Sequence, residues 1–488
     1  MPTRLALLAV LFAASTAVAD GLRFEVALPD GTPPQTGRVV VAVGAAGGRP
    51  DPLRTDPPSL PVVGKDADNW APGTPLTLDA TCVTFPLTEL NSLPAGEYTV
   101  QAYLLTNQDI NLPTAPGNRY CDVQRVRLDP AAGTVTKLTL DKTFPDRKPA
   151  DTATHKYLHI PSKKLSDFHG RPMVYRVGVV LPPDFDAVPN RKHALVVHIG
   201  GYGTRYTGAA RIRPDRRFVQ ILLDGAGPFG DPYQVDSANN GPYGAALTEE
   251  VIPYIEKTYR CLGTPQSRFT TGGSTGGWVS FALQVFYPDF FNGCWSQCPD
   301  SVTFSAFELI DIYRDKNAYV NRYGFERPSK RTLDGDTVFT LRHELRIEQV
   351  LGRGGRWELG GRDWCSWNAA YGPKGADGQP APLWDGKTGA IDPAVLKHWE
   401  GYDLRLVLER NWATLGPKLA GGKVHIWVGD ADDYFLNNAV HRLKASLARQ
   451  SGPKFDGKIL IDMRQPHSSG GWTDAQMRDE MAERAGVR

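Results

Sequence analysis

A serine between glycines marks the middle of the chain as a candidate nucleophile. Gly272-Gly273-Ser274-Thr275-Gly276 fits the pattern G-x-S-x-G, between a strand predicted over 267–271 and an apolar helix predicted over 277–287. A strand that turns this sharply into a helix leaves no room for side chains beside the serine and lifts its hydroxyl above the sheet. The first N–H groups of the helix face the same point and could stabilise an oxyanion. The pattern predicts acyl transfer at Ser274, and the simpler alternative is a buried serine in a glycine-rich turn.

A serine hydroxyl needs a base that accepts its proton before it can attack a carbonyl. His467 is predicted for this role, because it lies in a loop after the last predicted strand, near the C-terminus. His441 falls within a predicted helix, and His425 falls in the middle of a predicted strand. His343 begins HELRI, which lacks the second histidine of a zinc-binding H-E-x-x-H helix. These three positions are more typical of surface or structural histidines.

An acid must orient the imidazole and stabilise its charged form. The strand VHIWV is followed by a loop with three carboxylates, in which Asp432 is far enough from the strand to turn back toward the serine. Asp433 is the second choice, Asp430 is expected to stabilise the turn itself, and a solvated acidic turn is the alternative. The chain order Ser274, Asp432, His467 is that of α/β hydrolases.

The second half of an oxyanion hole is expected from the loop after an early strand. His198-Ile199-Gly200-Gly201-Tyr202-Gly203 occupies such a loop and loosely matches an HGGG-type sequence. Glycines there would let backbone N–H groups approach a substrate oxygen. The predicted donors are the N–H of Thr275 and that of Gly201 or Tyr202, whereas the side chain of His198 is predicted to be structural.

From about residue 155 onward, strand-like runs alternate with helical ones. This alternation indicates βαβ units and an α/β fold with a mainly parallel sheet, so we expect one catalytic domain over 155–488. The predicted strands are 175–181, 194–198, 218–223, 267–271, 424–428 and 458–463, and the predicted helices are 244–260, 277–287 and 436–449.

Residues 302–400 interrupt the alternation and hold five of the eleven tryptophans. An insertion of this size is expected to form a cap over the site, with an ordinary packed subdomain as the equal alternative. A tryptophan-rich cap would suit sugar rings or aromatic acyl groups, because both stack on flat apolar faces.

Residues 20–145 contain short alternating runs separated by Gly, Pro and Asn, without a long helical period. Such spacing predicts a small β-sandwich domain, which is either a structural spacer or a carbohydrate-binding module. Its predicted strands are 22–28, 38–43, 97–105, 123–128 and 134–140. Residues 144–154 (FPDRKPADTAT) are polar and contain prolines, which is typical of a linker.

The N-terminus has the pattern of a secretory signal peptide over residues 1–19. A short basic start precedes an apolar stretch, and Ala17-Val18-Ala19 gives an A-x-A cleavage site. A membrane anchor is the less favoured alternative. A secreted or periplasmic location would make disulfide bonds the expected state of six cysteines, among which a bridge between Cys82 and Cys121 is plausible.

The composition excludes several classes of protein. Apolar residues make up 41% and charged residues 22%, which is an ordinary globular balance. A net charge of +2 argues against a protein that coats nucleic acid or an anionic membrane. No internal stretch reaches the run of about 18 apolar residues that a membrane-spanning helix needs, so no stable membrane insertion is expected.

The motifs together resemble a known family. GGSTGG followed by YPDFF, the HIGGYG loop, VGDADDYF and the late PH are similar to α/β-hydrolase esterases of the esterase D-like, feruloyl-esterase-like and enterochelin-esterase-like group. The resemblance covers about 155–300 and 400–475, and it implies an α/β-hydrolase fold and carboxylic ester hydrolysis without a metal or an organic cofactor. A β domain before the catalytic domain is similar to the enterochelin-esterase-like arrangement. The insertion departs from simple members, so their substrate pocket does not transfer.

The expected function is that of an exported serine hydrolase that acts through Ser274, His467 and Asp432. Its expected substrates are small-molecule or polysaccharide-linked esters, with siderophore-like esters as a further possibility, and no residue is assigned to substrate binding. One alternative is a peptidase on the same fold. Another is a non-catalytic carbohydrate-binding protein with a vestigial triad.

Overall fold

A computed structural model of the chain describes residues 21–467 and 470–487. The predicted signal peptide, residues 1–19, lies outside the described residues. Within the described ranges, no helix combines the length and the apolar character needed to cross a bilayer.

Ten strands lie within the described residues before 145: β1 Arg23–Ala27, β2 Gln35–Ala45, β3 Val62–Trp70, β4 Leu76–Leu78, β5 Val83–Phe85, β6 Gly96–Leu105, β7 Arg119–Tyr120, β8 Gln124–Leu128, β9 Val135–Thr139 and β10 Lys142–Thr143. They form a sheet in the order β4-β1-β9 and a larger one in the order β10-β7-β6-β2-β3-β5, with β8 paired to β6. Buried side chains from both sheets, such as Phe24, Val41 and Leu104, share one hydrophobic cluster. All five predicted strands of this region are confirmed, whereas β3 to β5 were not predicted.

Twelve strands follow: β11 His155–Ser162, β12 Met173–Val180, β13 Ala194–Ile199, β14 Phe218–Leu223, β15 Asp236–Ser237, β16 Gly241–Pro242, β17 Arg268–Gly273, β18 Cys294–Gln297, β19 Pro328–Arg331, β20 Thr337–Thr340, β21 Val424–Gly429 and β22 Lys458–Asp462. The main sheet has the order β11-β12-β14-β13-β17-β18-β21-β22. The β12 strand pairs antiparallel with β11 and β14, and every neighbouring pair from β14 to β22 is parallel. The predicted α/β class with a mainly parallel sheet is confirmed.

The helices are α1 Lys163–His169, α2 Tyr243–Ala246, α3 Ile252–Thr258, α4 Thr275–Phe286, α5 Leu341–Leu351, α6 Asp363–Tyr371, α7 Pro393–Trp399, α8 Leu404–Leu419, α9 Asn437–Leu447 and α10 Asp474–Ala485. The predicted helix over 244–260 is split into α2 and α3 by a π-helical segment, Leu247–Val251. Pro253 is the second residue of α3 and follows the π-helical segment within one continuous helical stretch.

The insertion over 302–400 contains the β19–β20 hairpin and helices α5, α6 and α7. The α5 helix also contacts the N-terminal sheets. Arg38 donates to Val350 O at 2.9 Å, and Arg346 donates to Thr84 O at 2.6 Å. The position of the insertion is therefore fixed from the N-terminal side as well as by the main sheet.

The cysteines do not form the expected disulfide bonds. None of the six, which all lie in the described residues, forms a disulfide bond, and this includes Cys82 and Cys121. The Cys121 sulfur lies in the core of the N-terminal sheets, where it accepts the N–H of Ala102 at 3.2 Å. Cys294 lies in the middle of the main sheet, and Cys365 lies on α6. The even count suggested bonded pairs, but the fold buries most of these thiols singly in different elements.

The turn between β17 and α4 shows why G-x-S-x-G is required. Ser274 has φ 58° and ψ −125°, a backbone conformation that is uncommon for a residue with a side chain. A β-carbon at Gly272 would lie 2.4 Å from the carbonyl oxygen of Ile199, and one at Gly276 would lie 2.1 Å from the same oxygen. Both glycines thus let the turn and the start of α4 lie directly against β13.

Replacement of Gly276 by alanine is expected to force α4 away from β13 and to lower the free energy of unfolding by about 1–3 kcal/mol. Gly273→Ala is the matched control, because a β-carbon there would meet its nearest neighbour, Gln297 O, only at 3.7 Å. Chemical denaturation of both variants checks the prediction. Equal stability of the two variants would contradict the packing argument.

Candidate active site

Ser274 lies at the carboxyl edge of the main sheet, between β17 and α4. Its N–H donates to Gln297 O at 3.0 Å, and its carbonyl accepts the N–H of Gly277 at 2.8 Å. The backbone on both sides is therefore held, and the partly exposed side chain lines a cavity of about 630 Å³. His467 lines the same cavity.

Asp432 and His467 are brought together by two loops that follow neighbouring parallel strands, β21 and β22. The N–H of Ala431 donates to Gln465 O at 3.1 Å, and a β-carbon at Gly429 would lie 2.1 Å from the same oxygen. The two loops therefore pack backbone against backbone. Asp432 Oδ2 lies 2.7 Å from His467 Nδ1, and the Asp432 side chain is fully buried.

The carboxylate of Asp432 is fixed by its own loop. Its Oδ1 accepts the N–H groups of Tyr434 at 2.9 Å and of Leu436 at 3.2 Å. Asp430 instead forms an exposed ion pair with His441 at 2.9 Å. Asp433 is partly buried, and burial together with the charge of Asp432 raises its pKa. Of the three predicted candidates, Asp432 is the one whose carboxylate reaches His467 Nδ1.

The electrostatic surroundings of His467 favour its charged form. Burial opposes protonation, but hydrogen bonds to Asp432 and Cys298 and the charge of Asp432 raise the pKa of the imidazole to about 11. Cys298 directly follows β18 and has a positive φ of 36°. An imidazole must be neutral to accept a proton, so these contacts set the pH at which His467 can act as a base.

Asp300 is a carboxylate at the site that the sequence analysis did not identify. Among the described residues, the hydrogen bond of Ser274 Oγ goes to Asp300 Oδ1 at 3.4 Å rather than to His467. Asp300 Oδ2 accepts the Tyr233 hydroxyl at 2.5 Å and Trp367 Nε1 at 3.2 Å. The sequence signal that could have identified Asp300 is its position three residues after a strand. That strand, β18, was not predicted.

The predicted oxyanion-hole residues lie beside the serine. Thr275 is the first residue of α4, where backbone N–H groups have no partner within the helix. A β-carbon at Gly201 would lie 3.8 Å from Ser274 Cβ, which places the loop after β13 next to the nucleophile. The Tyr202 side chain lines the cavity, and its hydroxyl donates to Gly361 O at 2.7 Å.

The other histidines considered from the sequence lie away from Ser274. His198 shares a hydrogen bond with Gln220 at 3.0 Å, and burial lowers its pKa to about 4. His425 stacks on Trp295 with ring centroids 4.4 Å apart. His343 on α5 contacts the carbonyl oxygen of Thr55 at 3.2 Å and so links the insertion to the N-terminal region.

Three parts of the chain build the cavity wall. The main sheet contributes Ser274, Asp300 and His467, and the N-terminal region contributes a loop within 51–56. The insertion contributes Glu308, Phe339, Glu344, Arg362, Asp363 and Trp367. Of the five tryptophans in the insertion, Trp367 lines the cavity. Trp357, Trp364, Trp384 and Trp399 are buried in the core, so the expected tryptophan-lined surface is not formed by them.

No family model matches the sequence, and none of the curated proteins matches it. Among solved structures, a ferulic acid esterase matches at 13% identity over 64% of this chain and 92% of its own, with a TM-score of 0.38. An S-formylglutathione hydrolase from Agrobacterium tumefaciens matches at 14% identity over 69% of this chain and 97% of its own, with a TM-score of 0.39.

A dipeptidyl peptidase 4 from Porphyromonas gingivalis matches at 11% identity over 92% of this chain but only 48% of its own length, with a TM-score of 0.37. Ferulic acid esterase is one of the classes that the sequence motifs resemble. With all three TM-scores below 0.5, the fold assignment rests on the strand order and the turn at Ser274 of this chain.

Asp432→Asn is expected to lower kcat for ester hydrolysis by about 10⁴-fold, because the amide cannot hold the imidazole in the same tautomer or stabilise its charge. Asp430→Asn is the control, since that side chain pairs with the exposed His441, and its kcat should stay near the wild-type value. Steady-state kinetics of both variants on 4-nitrophenyl acetate checks this. If kcat fell as far in Asp430→Asn as in Asp432→Asn, the assignment of Asp432 as the orienting acid would be wrong.

The pH dependence follows from the raised pKa of His467. Only the neutral imidazole can accept a proton, so kcat/KM should still be rising with pH above pH 8. Cys298→Ala removes one of the contacts that hold the proton, and the rising limb should move to lower pH. The profiles are measured with the background of Ser274→Ala subtracted. A wild-type profile that levels off below pH 7 would contradict the argument.

Proposed function

We propose that the chain is a serine hydrolase that cleaves carboxylic esters, with Ser274 as the nucleophile, His467 as the base and Asp432 as the orienting acid. The observation that carries the proposal is the buried contact of 2.7 Å between Asp432 Oδ2 and His467 Nδ1, in a cavity that Ser274 also lines. A nucleophile, a base and an acid supplied by three loops at the same sheet edge are the arrangement that acyl transfer needs.

The first step begins when the Ser274 hydroxyl turns from Asp300 toward His467. His467 Nε2 accepts the hydroxyl proton while Ser274 Oγ attacks the ester carbonyl, and the imidazolium is stabilised by Asp432. The resulting oxyanion is held by the N–H of Thr275 and by that of Gly201 or Tyr202. The carbonyl then re-forms, the C–O bond to the alcohol breaks, and the alcohol leaves with the proton from His467.

The second step returns the enzyme to its starting state. A water molecule enters the place that the alcohol has left, and His467 accepts one of its protons as the oxygen attacks the acyl carbon. The acid is released when the bond to Ser274 Oγ breaks and His467 returns the proton to the serine. Ester and water are the only reactants consumed in this cycle.

The charges of the cavity favour some of the proposed substrates over others. Its wall contains more carboxylates than guanidinium groups, so an anionic substrate is repelled. This disfavours a siderophore-like ester that carries acidic iron-binding groups and leaves neutral or cationic esters. A cavity of about 630 Å³ accommodates a small-molecule ester or the terminal unit of a polysaccharide-linked one.

The organisation of the chain is part of the proposal. We propose a β-sandwich-like domain over 20–145, a catalytic domain over 155–488 and a cap formed by 302–400. The supporting contacts are those of α5 and of the loop within 51–56, which join the first and third of these regions at the cavity. Export to a secreted or periplasmic location is supported by the pattern of residues 1–19.

Ser274→Ala is expected to reduce kcat on 4-nitrophenyl acetate by about 10⁶-fold, because the acyl-enzyme cannot form. A fluorophosphonate probe should label the wild-type protein at the peptide that contains Ser274, and it should not label the variant. Mass spectrometry of the digested protein identifies the labelled residue. Ester turnover that survives in the variant, or a label on another side chain, would reject Ser274 as the nucleophile.

A further inference from the structure

The cavity at Ser274 is lined mainly by acidic side chains, although the whole chain is nearly neutral. Burial raises the pKa of Asp300, Glu308 and Glu344 and raises that of Asp363 to about 7, so an empty cavity favours the neutral forms and a bound cation would favour the ionised ones. Six carboxylates and two guanidinium groups, those of Arg54 and Arg362, line it. The carboxylates are those of Asp51, Asp56, Asp300, Glu308, Glu344 and Asp363. Ser274 and His467 mark the cavity as a substrate site independently of these charges. The field inside it therefore acts on whatever part of the substrate lies next to the nucleophile.

Glu308 is a buried acidic residue in this wall that shares one hydroxyl group with Glu344. It is 3% exposed, and its two oxygens lie 3.1 and 3.3 Å from the Ser329 hydroxyl. The same hydroxyl lies 2.6 Å from Glu344 Oε2, and a hydroxyl has one proton to donate. Glu344 receives a second donor, Trp364 Nε1, at 2.8 Å. The hydroxyl proton goes to the shorter contact, so an ionised Glu308 receives no donor from Ser329, whereas a protonated Glu308 can donate to the Ser329 oxygen.

Among the residues that the structure describes, no cation forms an ion pair with Glu308. The recorded ion pair of Arg362 is with Asp363 at 3.8 Å. A buried carboxylate without a donor or a counter-charge is costly, and burial together with the nearby Glu344 raises the pKa of Glu308 well above its ordinary value. A ligand with several N–H donors and a positive charge would satisfy both carboxylates at once. Among the described residues no three His, Cys, Asp or Glu side chains are grouped as metal ligands, which favours an organic cation.

The chain around Glu308 places it beside the nucleophile. The N–H of Glu308 donates to Ser301 Oγ at 3.0 Å. Asp300, the residue before Ser301, accepts the hydroxyl of Ser274 at 3.4 Å. Glu308 and Ser274 thus line the same cavity, so a substrate group bound at Glu308 belongs to the molecule that Ser274 attacks.

We propose that Glu308 and Glu344 bind a protonated primary amine on the acyl group, so that the preferred substrates are aminoacyl esters. This inference rests on the ester hydrolysis proposed above. A primary ammonium offers three donors, and hydrogen bonds between charged groups are strong enough to change affinity by about 10- to 100-fold. The interaction contributes to binding, so it should lower KM for the aminoacyl ester.

The test compares the 4-nitrophenyl esters of alanine and of N-acetylalanine, which differ in the charge of the amine. The wild-type protein should show a kcat/KM that is about 10- to 100-fold higher for the alanine ester. Glu308→Gln should remove most of this preference, and Glu344→Gln should reduce it. Asp334→Asn, which removes a carboxylate from an exposed position outside the cavity, should keep the full preference.

Fluorophosphonate labelling of Ser274 separates the possible failures. A wild-type protein that is not labelled and cleaves neither ester refutes the hydrolase itself. A labelled protein that cleaves both esters equally, or prefers the N-acetyl ester, overturns the amine site while the hydrolase stands. A preference for 2-aminoethyl acetate over ethyl acetate without one for the alanine ester would place the amine on the alcohol and also overturn the proposal. If the Glu308→Gln variant is no longer labelled, its ester preference is not used. The proposal is then decided by comparing the ester preference of the Glu344→Gln variant with that of the wild type.

Discussion

The close contact between the start of α4 and the carbonyl oxygen of Ile199 on β13 is the constraint on which the site depends. Two positions without a β-carbon, Gly272 and Gly276, allow it, and Ser274 between them takes a positive φ as a result. The strain is local, but the neighbouring hydrogen bonds from Gly277 and to Gln297 fix the backbone around it. A shift of the helix by even one methyl group would move the hydroxyl and the first N–H groups of α4 together. The packing of α4 against β13 therefore sets the positions of the nucleophile and of the oxyanion donors together.

A second set of contacts decides what can reach the serine. The α5 helix bears Glu344, which faces the cavity, and Arg346, which donates to Thr84 O in the N-terminal sheets. On the other side, Asp56 of the N-terminal loop forms an ion pair with Lys330 of the insertion at 2.8 Å. The N-terminal region thus forms part of the cavity wall, in addition to any role as a spacer. Its loop and the insertion together restrict the entrance, which an open sheet edge alone would leave wide.

The sequence could predict those parts of the site that sit at regular places in the fold. Strands such as Phe218–Leu223 contain apolar runs that mark them in the sequence, and the loops that hold Asp432 and His467 each follow a strand predicted in that way. Asp300 could not be found in the same way, because the four-residue strand before it, CWSQ, has no apolar run to mark it. The expectation of a cavity lined by tryptophans was wrong for a related reason. Large aromatic side chains serve a core as well as a ligand surface, and only the tertiary packing distinguishes the two uses. The cysteines likewise count as an even set, but none of them forms a disulfide bond.

The charge of the cavity connects the proposed base with the proposed substrate. The carboxylate of Asp432 holds a proton on His467 and so opposes its action as a base. Burial raises the pKa of Asp300, and the charge of His467 partly opposes that rise. An ammonium group bound at Glu308 adds a positive charge to the same low-dielectric space, and this lowers the pKa of the imidazole. Binding of a cationic substrate would thus release the proton that the resting site retains. An uncharged ester gives no such assistance, so discrimination between the two would arise in the readiness of the base as well as in affinity.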